Sequence, residues 1–416
     1  MSAWTLADAE RYLQGLELFG MRFGLDRMRR LMTALDHPER AFDSIHVVGT
    51  NGKSSTTRMI AAILERHGLR TGSYTSPHLI SFAERIQVGE RALGASAFAG
   101  AVARAARAAE LVDRSLAHND RVTQFEVLTA AAYSELARSE VEVAVIEAGL
   151  GGRYDATNVI PSSVQVLSTV GLEHTRWLGP TITHIAREKL DVVKPGATLA
   201  LGHGLHPDAL AVARSVARER GARIVHAPAD AGVPVGALGS FQRRNFALAR
   251  TAAEAYLGTL DQQAVAEAAA TVRVPGRLQV IAEQPLTVLD GAHNPEGMAA
   301  LAESLPEVAG GRRPVVAVVS ILDDKDAAGM LRALLERCDA LICTNSHNPR
   351  ALPPPTIESL ARQLDGPPAQ IVSGPAAALA RARSVAGAEG VVIATGSIYL
   401  VADLLGAEQL ERASSL

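Results

Sequence analysis

Apolar residues in this chain fall in short unbroken runs, separated by longer stretches in which they recur every three or four positions. Such alternation predicts βαβ units around a largely parallel sheet. The run 44–49 (SIHVVG) predicts a buried strand. The segment 53–67 after it carries Met59, Ile60, Ile63 and Leu64 at helical spacing, with Gly68 placed as a C-terminal cap. Further strands are predicted at 141–146, 164–168 and 198–201, with helices at 97–116 and 127–138. One long Ala-rich helical stretch, 242–271, ends where Val274, Pro275, Gly276 and Arg277 interrupt it. A second alternating series follows, with strands at 286–289, 314–320, 340–344, 370–373 and 391–394. Helices begin near Pro295, Asp326, Pro355, Pro375 and Ser397. The expected domains are therefore 1–275 and 276–416, the second of about 140 residues, an ordinary domain size. No internal repeat of fixed short period is present.

Length agrees with this division, because 416 residues exceed the roughly 250–300 at which one core stops growing. Charge narrows the partners: 41 Lys and Arg against 44 Asp and Glu give a formal net charge of −3. That leaves no cationic field for nonspecific nucleic-acid binding, so an anionic ligand has to be held locally. The two cysteines, Cys338 and Cys343, form neither a disulfide framework nor the paired spacing of a zinc site, and read as core thiols in a reducing compartment. The first twenty residues carry acidic side chains and no leader-like apolar run, and no stretch of about 18 uncharged apolar residues occurs. A cytoplasmic protein with no membrane partner is expected. Gly (35) and Pro (20) are near average usage, which indicates neither disorder nor low complexity.

The sharpest local signal is Gly49-Thr50-Asn51-Gly52-Lys53-Ser54-Ser55-Thr56, set between a predicted strand and an amphipathic helix. Glycines let backbone wrap a phosphate, the N–H groups of the new helix face it, Lys53 supplies a point charge and a hydroxyl reaches Mg²⁺. The full Walker pattern would place Gly at 47, where this chain has Val47. Read without a ligand, the segment is a Gly-bearing turn whose Ser and Thr cap a helix. Glu147 follows the run VEVAVI and precedes Ala148-Gly149-Leu150-Gly151-Gly152, so it is expected at the carboxyl edge of the sheet, where ligands of α/β proteins bind and where it can hold Mg²⁺. Its plainer reading is an exposed strand-end Glu before a flexible turn.

The loop GTNGKSST, together with Tyr74-Thr75-Ser76-Pro77-His78-Leu79, Phe82, Glu84, Arg85 and Ile86, resembles the folylpolyglutamate synthase and dihydrofolate synthase family of Mur-type amide ligases. Further matches are EAGLGGRYDATN (147–158), GLEHTRWLG (171–179), AREK (186–189), SFQRRN ending at Asn245, PGRLQV (275–280), LDGAHNPEG (289–297), DDKD (323–326) and TGSIYL (395–400). The resemblance implies an α/β chain with a P-loop-containing, Mur-ligase-like ATP-binding domain followed by a smaller Rossmann-like domain. It implies a monomeric ligase that joins L-glutamate to dihydropteroate and to reduced folates. ATP converts the acceptor carboxylate to an acyl phosphate, which the amine of glutamate attacks.

Position by position, the resemblance implies that Thr50, Asn51, Gly52, Lys53, Ser54 and Ser55 cradle the triphosphate. Ser76, Glu147 and His174 would be Mg²⁺ ligands, with two ions expected and a carbamylated Lys189 as a further ligand. Asn245, Arg277 and Asp290 would contact nucleotide from both sides of the Pro275 break, making the reaction site an interdomain cleft, and His293 would lie near incoming glutamate. Phe23, Gly24, Leu25, Thr123, Gln124, Phe125, Glu126, Tyr154, Asp155 and Ala156 would form the pterin site, Phe125 as a stacking face and Asp155 as an acceptor. By general chemistry alone, His174 is an unusual Mg²⁺ ligand, Lys189 reads as a helix-surface lysine and Phe125 as core. Asn294-Pro295 reads as a helix N-cap and first turn.

Three departures from the family pattern stand out. Ser54 occupies a usual Gly, Glu173 a common Asp, and Asp191-Val192-Val193 a commoner Ala-Gly-Ile. None removes a charge the chemistry needs. The alternatives are a polyglutamylating synthase without the dihydropteroate reaction, a Mur-type ligase acting on a cell-wall precursor, and a P-loop switch or transport ATPase.

Overall fold

In the computed structural model the described residues are 4–17, 24–117 and 120–414. Internal contacts divide the chain into two units, one running to Gly236 with Arg244–Val272, the other comprising Ala237–Arg243 and Arg273–Leu416. Each is an α/β unit around its own sheet.

The first sheet contains β1 (Asp43–Val48), β2 (Thr71–Tyr74), β3 (Ile86–Val88), β4 (Arg91–Ala92), β5 (Val143–Glu147), β6 (Val164–Leu167), β7 (Thr198–Leu201) and β8 (Arg223–His226). Their order is β4-β3-β2-β5-β1-β6-β7-β8, with β3 and β4 antiparallel at one edge and the rest parallel. Buried on both faces, β1 and β5 read as near-continuous apolar runs, as parallel strands do. The register sets Val47 beside Glu147 and Val48 beside Leu167, so the chain leaves the carboxyl ends of β1, β5 and β6 at one level. That edge is where the strand order departs from sequence order and where ligands of such sheets bind.

One core lies under the helices Leu6–Gln14, Asp26–Ala34, Ala95–Asp113 and Gln124–Arg138, and includes Tyr74, Phe98 and Tyr133. Another lies between β6, β7 and the helices Ile182–Leu190 and Pro207–Arg220. The second unit holds β9 (Gln279–Glu283), β10 (Leu286–Leu289), β11 (Val315–Val319), β12 (Ala340–Cys343), β13 (Ala369–Ile371) and β14 (Val391–Thr395), in the order β13-β12-β11-β14-β10-β9 with only β9 antiparallel. Among the described residues no helix is long and apolar enough to cross a membrane.

Several sequence expectations need correction. The stretch 242–271 is two helices, Ser240–Leu257 and Gln262–Thr271. Gly258, at φ +86°, turns the chain out of the first, and the Asp261 carboxylate starts the second by accepting from the N–H groups of Gln263 and Ala264. The strand placed at 141–146 is Val143–Glu147, so Glu147 is its last residue rather than the one beyond it. Strands β2, β3, β4, β8 and β9 carry no strong apolar run and are not expected from the pattern.

Candidate active site

The phosphate loop leaves β1 through Gly49, at φ +155°, where a Cβ would stand 1.9 Å from Ser168 Oγ. The loop is tied to the segment after β6. Thr50 N donates to Thr169 O at 2.8 Å, Asn51 N to Thr169 Oγ1 at 2.9 Å, and the Ser168 hydroxyl donates to Asn51 O at 2.6 Å. Gly52, at φ +83°, is the N-cap of the helix Lys53–Arg66, and a Cβ there would meet Asn245 Oδ1 at 2.5 Å. Asn245 therefore does stand against the loop. Ser168 and Thr169 were not anticipated; their signal is their place just beyond β6, beside the strand that feeds the loop.

Two lysines converge on one carbonyl. Lys53 Nζ donates to Gly49 O and Thr50 O, both at 3.1 Å, and Lys189 Nζ donates to Gly49 O at 2.8 Å. Lys189 is 4% exposed, which overturns its reading as a surface lysine. Burial, followed by the charge of Lys53, lowers its pKa from the usual 10.5 to about 7.

Glu147 is 1% exposed at the end of β5. Its Oε1 accepts from the Ser54 hydroxyl at 2.9 Å and its Oε2 from Ser76 N at 3.0 Å. The exposed strand-end reading of Glu147 is thus wrong, because β5 is central and its carboxyl end is covered by two loops. Arg58 lies one helical turn beyond Ser54, and burial lowers its pKa against the nearby charges of Glu147 and Glu84. His174 sits in left-handed backbone at φ +52°, ahead of the helix Thr175–Leu178, with Nε2 3.9 Å from Glu173 Oε1. Among the described residues no three His, Cys, Asp or Glu side chains gather into a metal-holding group. The donor set that does assemble is one carboxylate bracketed by Ser54 and Ser76, of the hard-oxygen type that suits Mg²⁺.

The residues assigned to the pterin site divide into two kinds. Thr123 and Glu126 form the capping box of the helix Gln124–Arg138, and Glu126 also accepts from Arg27 Nε at 3.0 Å. Gln124 is buried and donates to Leu13 O. Asp155 is buried, its Oδ1 accepting from Thr157 and its Oδ2 from Leu150 N at 2.8 Å; burial raises its pKa against these bonds. These side chains hold backbone. Phe125 packs against Gly149, where an added Cβ would lie 2.6 Å from its ring, and 6.1 Å from the Tyr74 ring. Tyr154 is 44% exposed with the Arg153 guanidinium over its ring. Ala156 is buried, Leu25 and Gly24 are half-exposed, and Phe23 lies outside the described residues.

In the second unit Asp290 ends β10, 2% exposed, accepting from Leu278 N and Ala292 N at 3.0 and 2.8 Å. Burial raises its pKa, opposed chiefly by the charge of Arg277. Arg277 reaches Gly291, and His293 Nδ1 stands 2.8 Å from Gly291 O. Asn294 caps the helix Pro295–Ala309 through Gly297 N at 2.8 Å, with Pro295 in its first turn.

Known proteins are similar to this chain in sequence and fold. The family described as Mur ligase, glutamate ligase domain, matches residues 276–398. The dihydrofolate synthase/folylpolyglutamate synthase of Bacillus subtilis is 32% identical over 95% of this chain and 97% of its own. The chain belongs to the dihydrofolate synthase/folylpolyglutamate synthase family. It is a ligase of the Mur type with two α/β domains. It spans half the length of a 33% identical Haloferax volcanii relative, a probable bifunctional folylpolyglutamate synthase/dihydropteroate synthase. Among solved structures, Mycobacterium tuberculosis folylpolyglutamate synthase complexed with ADP superposes with a TM-score of 0.89 at 30% identity, covering 97% of this chain and 98% of that one. E. coli FolC in complex with DHPP and ADP gives 0.86 at 28% identity over 99% of both. A Yersinia pestis bifunctional synthase complexed with AMPPNP and Mn ion gives 0.84 at 31%, over 97% and 98%.

Proposed function

We propose that this ligase joins L-glutamate to dihydropteroate, forming dihydrofolate, and to reduced folates, forming folylpolyglutamates, with cleavage of ATP to ADP and phosphate. The observation that carries the reading is the junction at the carboxyl edge of the first sheet. There a phosphate loop and two lysines meet at Gly49 O, and the loop's own Ser54 holds the buried Glu147. The ligands in the E. coli, M. tuberculosis and Y. pestis structures support a nucleotide, a divalent cation and a pterin as its small-molecule ligands.

A carboxylate is a poor acyl donor until one oxygen becomes a good leaving group. Its oxygen takes the terminal phosphoryl group of ATP with loss of ADP. The glutamate amine then attacks the acyl carbon, phosphate departs with that oxygen, and the amine gives up a proton. The protein's share is charge neutralisation and positioning. Lys53 and the N–H groups of the helix start at Gly52 favour the triphosphate's charge. Glu147, with Ser76, His174 and Lys189, would hold Mg²⁺, which when bound neutralises phosphate charge. Lys189 suits a carbamate because a pKa of about 7 leaves a large fraction of the amine neutral. Arg277 and Asp290 are assigned to nucleotide, and His293 to glutamate.

The test supplies purified protein with ATP and Mg²⁺ and measures phosphate release, with dihydropteroate, a reduced folate or a muramyl peptide as acceptor, each with and without L-glutamate. Release is expected only with glutamate plus dihydropteroate or folate. Release without acceptor would indicate an ATPase instead, and activity confined to folate would remove the dihydrofolate synthase reaction.

A further inference from the structure

Ser54 sits in the first turn of the helix Lys53–Arg66, directly after Lys53. Its hydroxyl has one proton and two acceptors in view: Glu147 Oε1 at 2.9 Å and Ser76 O at 3.5 Å. Distance assigns the proton to Glu147. Ser76 N, from a different loop, holds the other carboxylate oxygen at 3.0 Å. The terminal torsion of a glutamate is broad and sets the plane of its carboxylate, so two donors from two directions fix what the side chain itself leaves loose.

We propose that Ser54 is a positioning residue for Glu147, fixing the plane in which the carboxylate faces a divalent cation, and acting through Glu147 rather than as a ligand itself. The proposal rests on the reading of Glu147 as a metal carboxylate given above. Outer partners of this kind typically change metal affinity by roughly 10–100-fold when removed. A hydroxyl at the first turn of a helix is easily replaced by Ala without loss of helix, so the side chain's effect is separable from folding.

The experiment measures Mn²⁺ affinity of the full-length protein with ADP and no acceptor, by calorimetry or by the EPR signal of free Mn²⁺, so that no turnover is involved. Ser54→Ala is expected to weaken Mn²⁺ by about tenfold or more at unchanged melting temperature, and Ser54→Thr, which keeps the hydroxyl, to retain the parent affinity. In a Glu147→Gln background Ser54→Ala is expected to add nothing further. Parent-like affinity in Ser54→Ala overturns the proposal. So do independent, additive losses from the two substitutions, which would show Ser54 acting apart from Glu147. If Glu147→Gln alone binds Mn²⁺ like the parent, the reading of Glu147 fails and takes the proposal with it. If Glu147→Gln loses the ion while Ser54→Ala keeps it, only the role of Ser54 falls.

Discussion

Lys53 and Lys189 both direct their amines at Gly49 O, yet only Lys189 is fully buried. Lys53 is the one free to exchange its loop carbonyls for phosphate oxygens. Lys53→Ala is expected to lower kcat for ligation by about 10²–10³-fold, the usual loss for one preorganised charge donor. Glu147→Ala should do at least as much. Steady-state rates checked beside melting curves test both, and near-normal turnover of Glu147→Ala would remove its metal role. A second residue-scale consequence concerns His46, which is 0% exposed, with Nε2 2.8 Å from Thr157 Oγ1 and Nδ1 without a hydrogen-bond partner. Thr157 in turn donates to Asp155, so this chain of contacts runs from the sheet interior to the loop bearing Tyr154. Burial, then the charge of Lys194, lowers the His46 pKa from 6.5 to about 3. Below pH 6.5 the unfolded chain binds a proton that the folded one refuses, so this stability is present above 6.5 and is lost as pH falls toward 3. The slope is about 1.4 kcal/mol per pH unit for one proton. Denaturant titrations of His46→Gln against the parent between pH 7 and 4 should show a shallower fall in the variant. None of this was visible in the sequence, where His46 is one polar letter inside an apolar run. By contrast the loop residues and Glu147 were legible, because chemistry that needs Gly, Lys and hydroxyl together at a strand end leaves a dense local pattern.

At the scale of elements, what was legible followed cap and break chemistry. Asn294-Pro295 and Asp326 start helices where the side chain's acceptor predicts it. The central strands β1, β6, β7, β10, β11 and β14 stand within a residue or so of the apolar runs that announced them. The first sheet's edge strands did not show, since an edge strand needs no unbroken apolar run: β8 is Arg223–His226 with both ends exposed, and β4 is two exposed residues. The Gly-rich turn after Glu147 shows why element packing is not written locally. At Gly152 a Cβ would lie 2.5 Å from Lys189 O and 2.8 Å from Glu188 O, both backbone atoms at the end of the helix Ile182–Leu190. That helix carries Lys189 to Gly49, so the turn after β5 and the end of this helix are held in backbone contact. Gly152→Ala is expected to destabilise the protein by about 1–3 kcal/mol through overpacking and to reduce ligation by moving Lys189. Chemical denaturation and turnover measured together test it, and a variant as stable and active as the parent would show that the helix end shifts freely.

At the scale of the molecule, two alternating series of runs announced two α/β bodies, but the sequence did not show that 237–243 joins the second. That assignment rests on contacts far along the chain. Ser240 N donates to Ser304 Oγ at 3.1 Å, Arg243 pairs with Glu307 through two bonds of 2.8 Å, and Gly239, at φ +94°, leaves room for Leu278. The helix Ser240–Leu257 thus begins in one unit and continues in the other, with Asn245 just past the change, against the phosphate loop. Each unit has its own core: Val288, Ala317, Val319 and Ile393 belong to that of the second, whereas Val48, Ile146 and Leu167 of β1, β5 and β6 pack in cores of the first. Chains with separate cores need not unfold in one step, and a ligand raises the stability of the part that binds it by RT ln(1 + [L]/Kd), about 2.7 kcal/mol at a hundredfold excess over Kd. Calorimetry with Mg²⁺ and ADP is therefore expected to raise the transition of the unit carrying the phosphate loop by an amount that grows with the logarithm of ADP. Lys53→Ala should lose most of that rise while its ligand-free curve stays that of the parent. Asn245 lies two residues past Arg243, the last residue of this helix in the second unit, and stands against Gly52 of the loop, so Asn245→Ala tests its own contribution separately. A smaller ADP response in Asn245→Ala, at an unchanged ligand-free profile, places its amide among the nucleotide contacts; an undiminished response confines its role to shaping the loop beside Gly52.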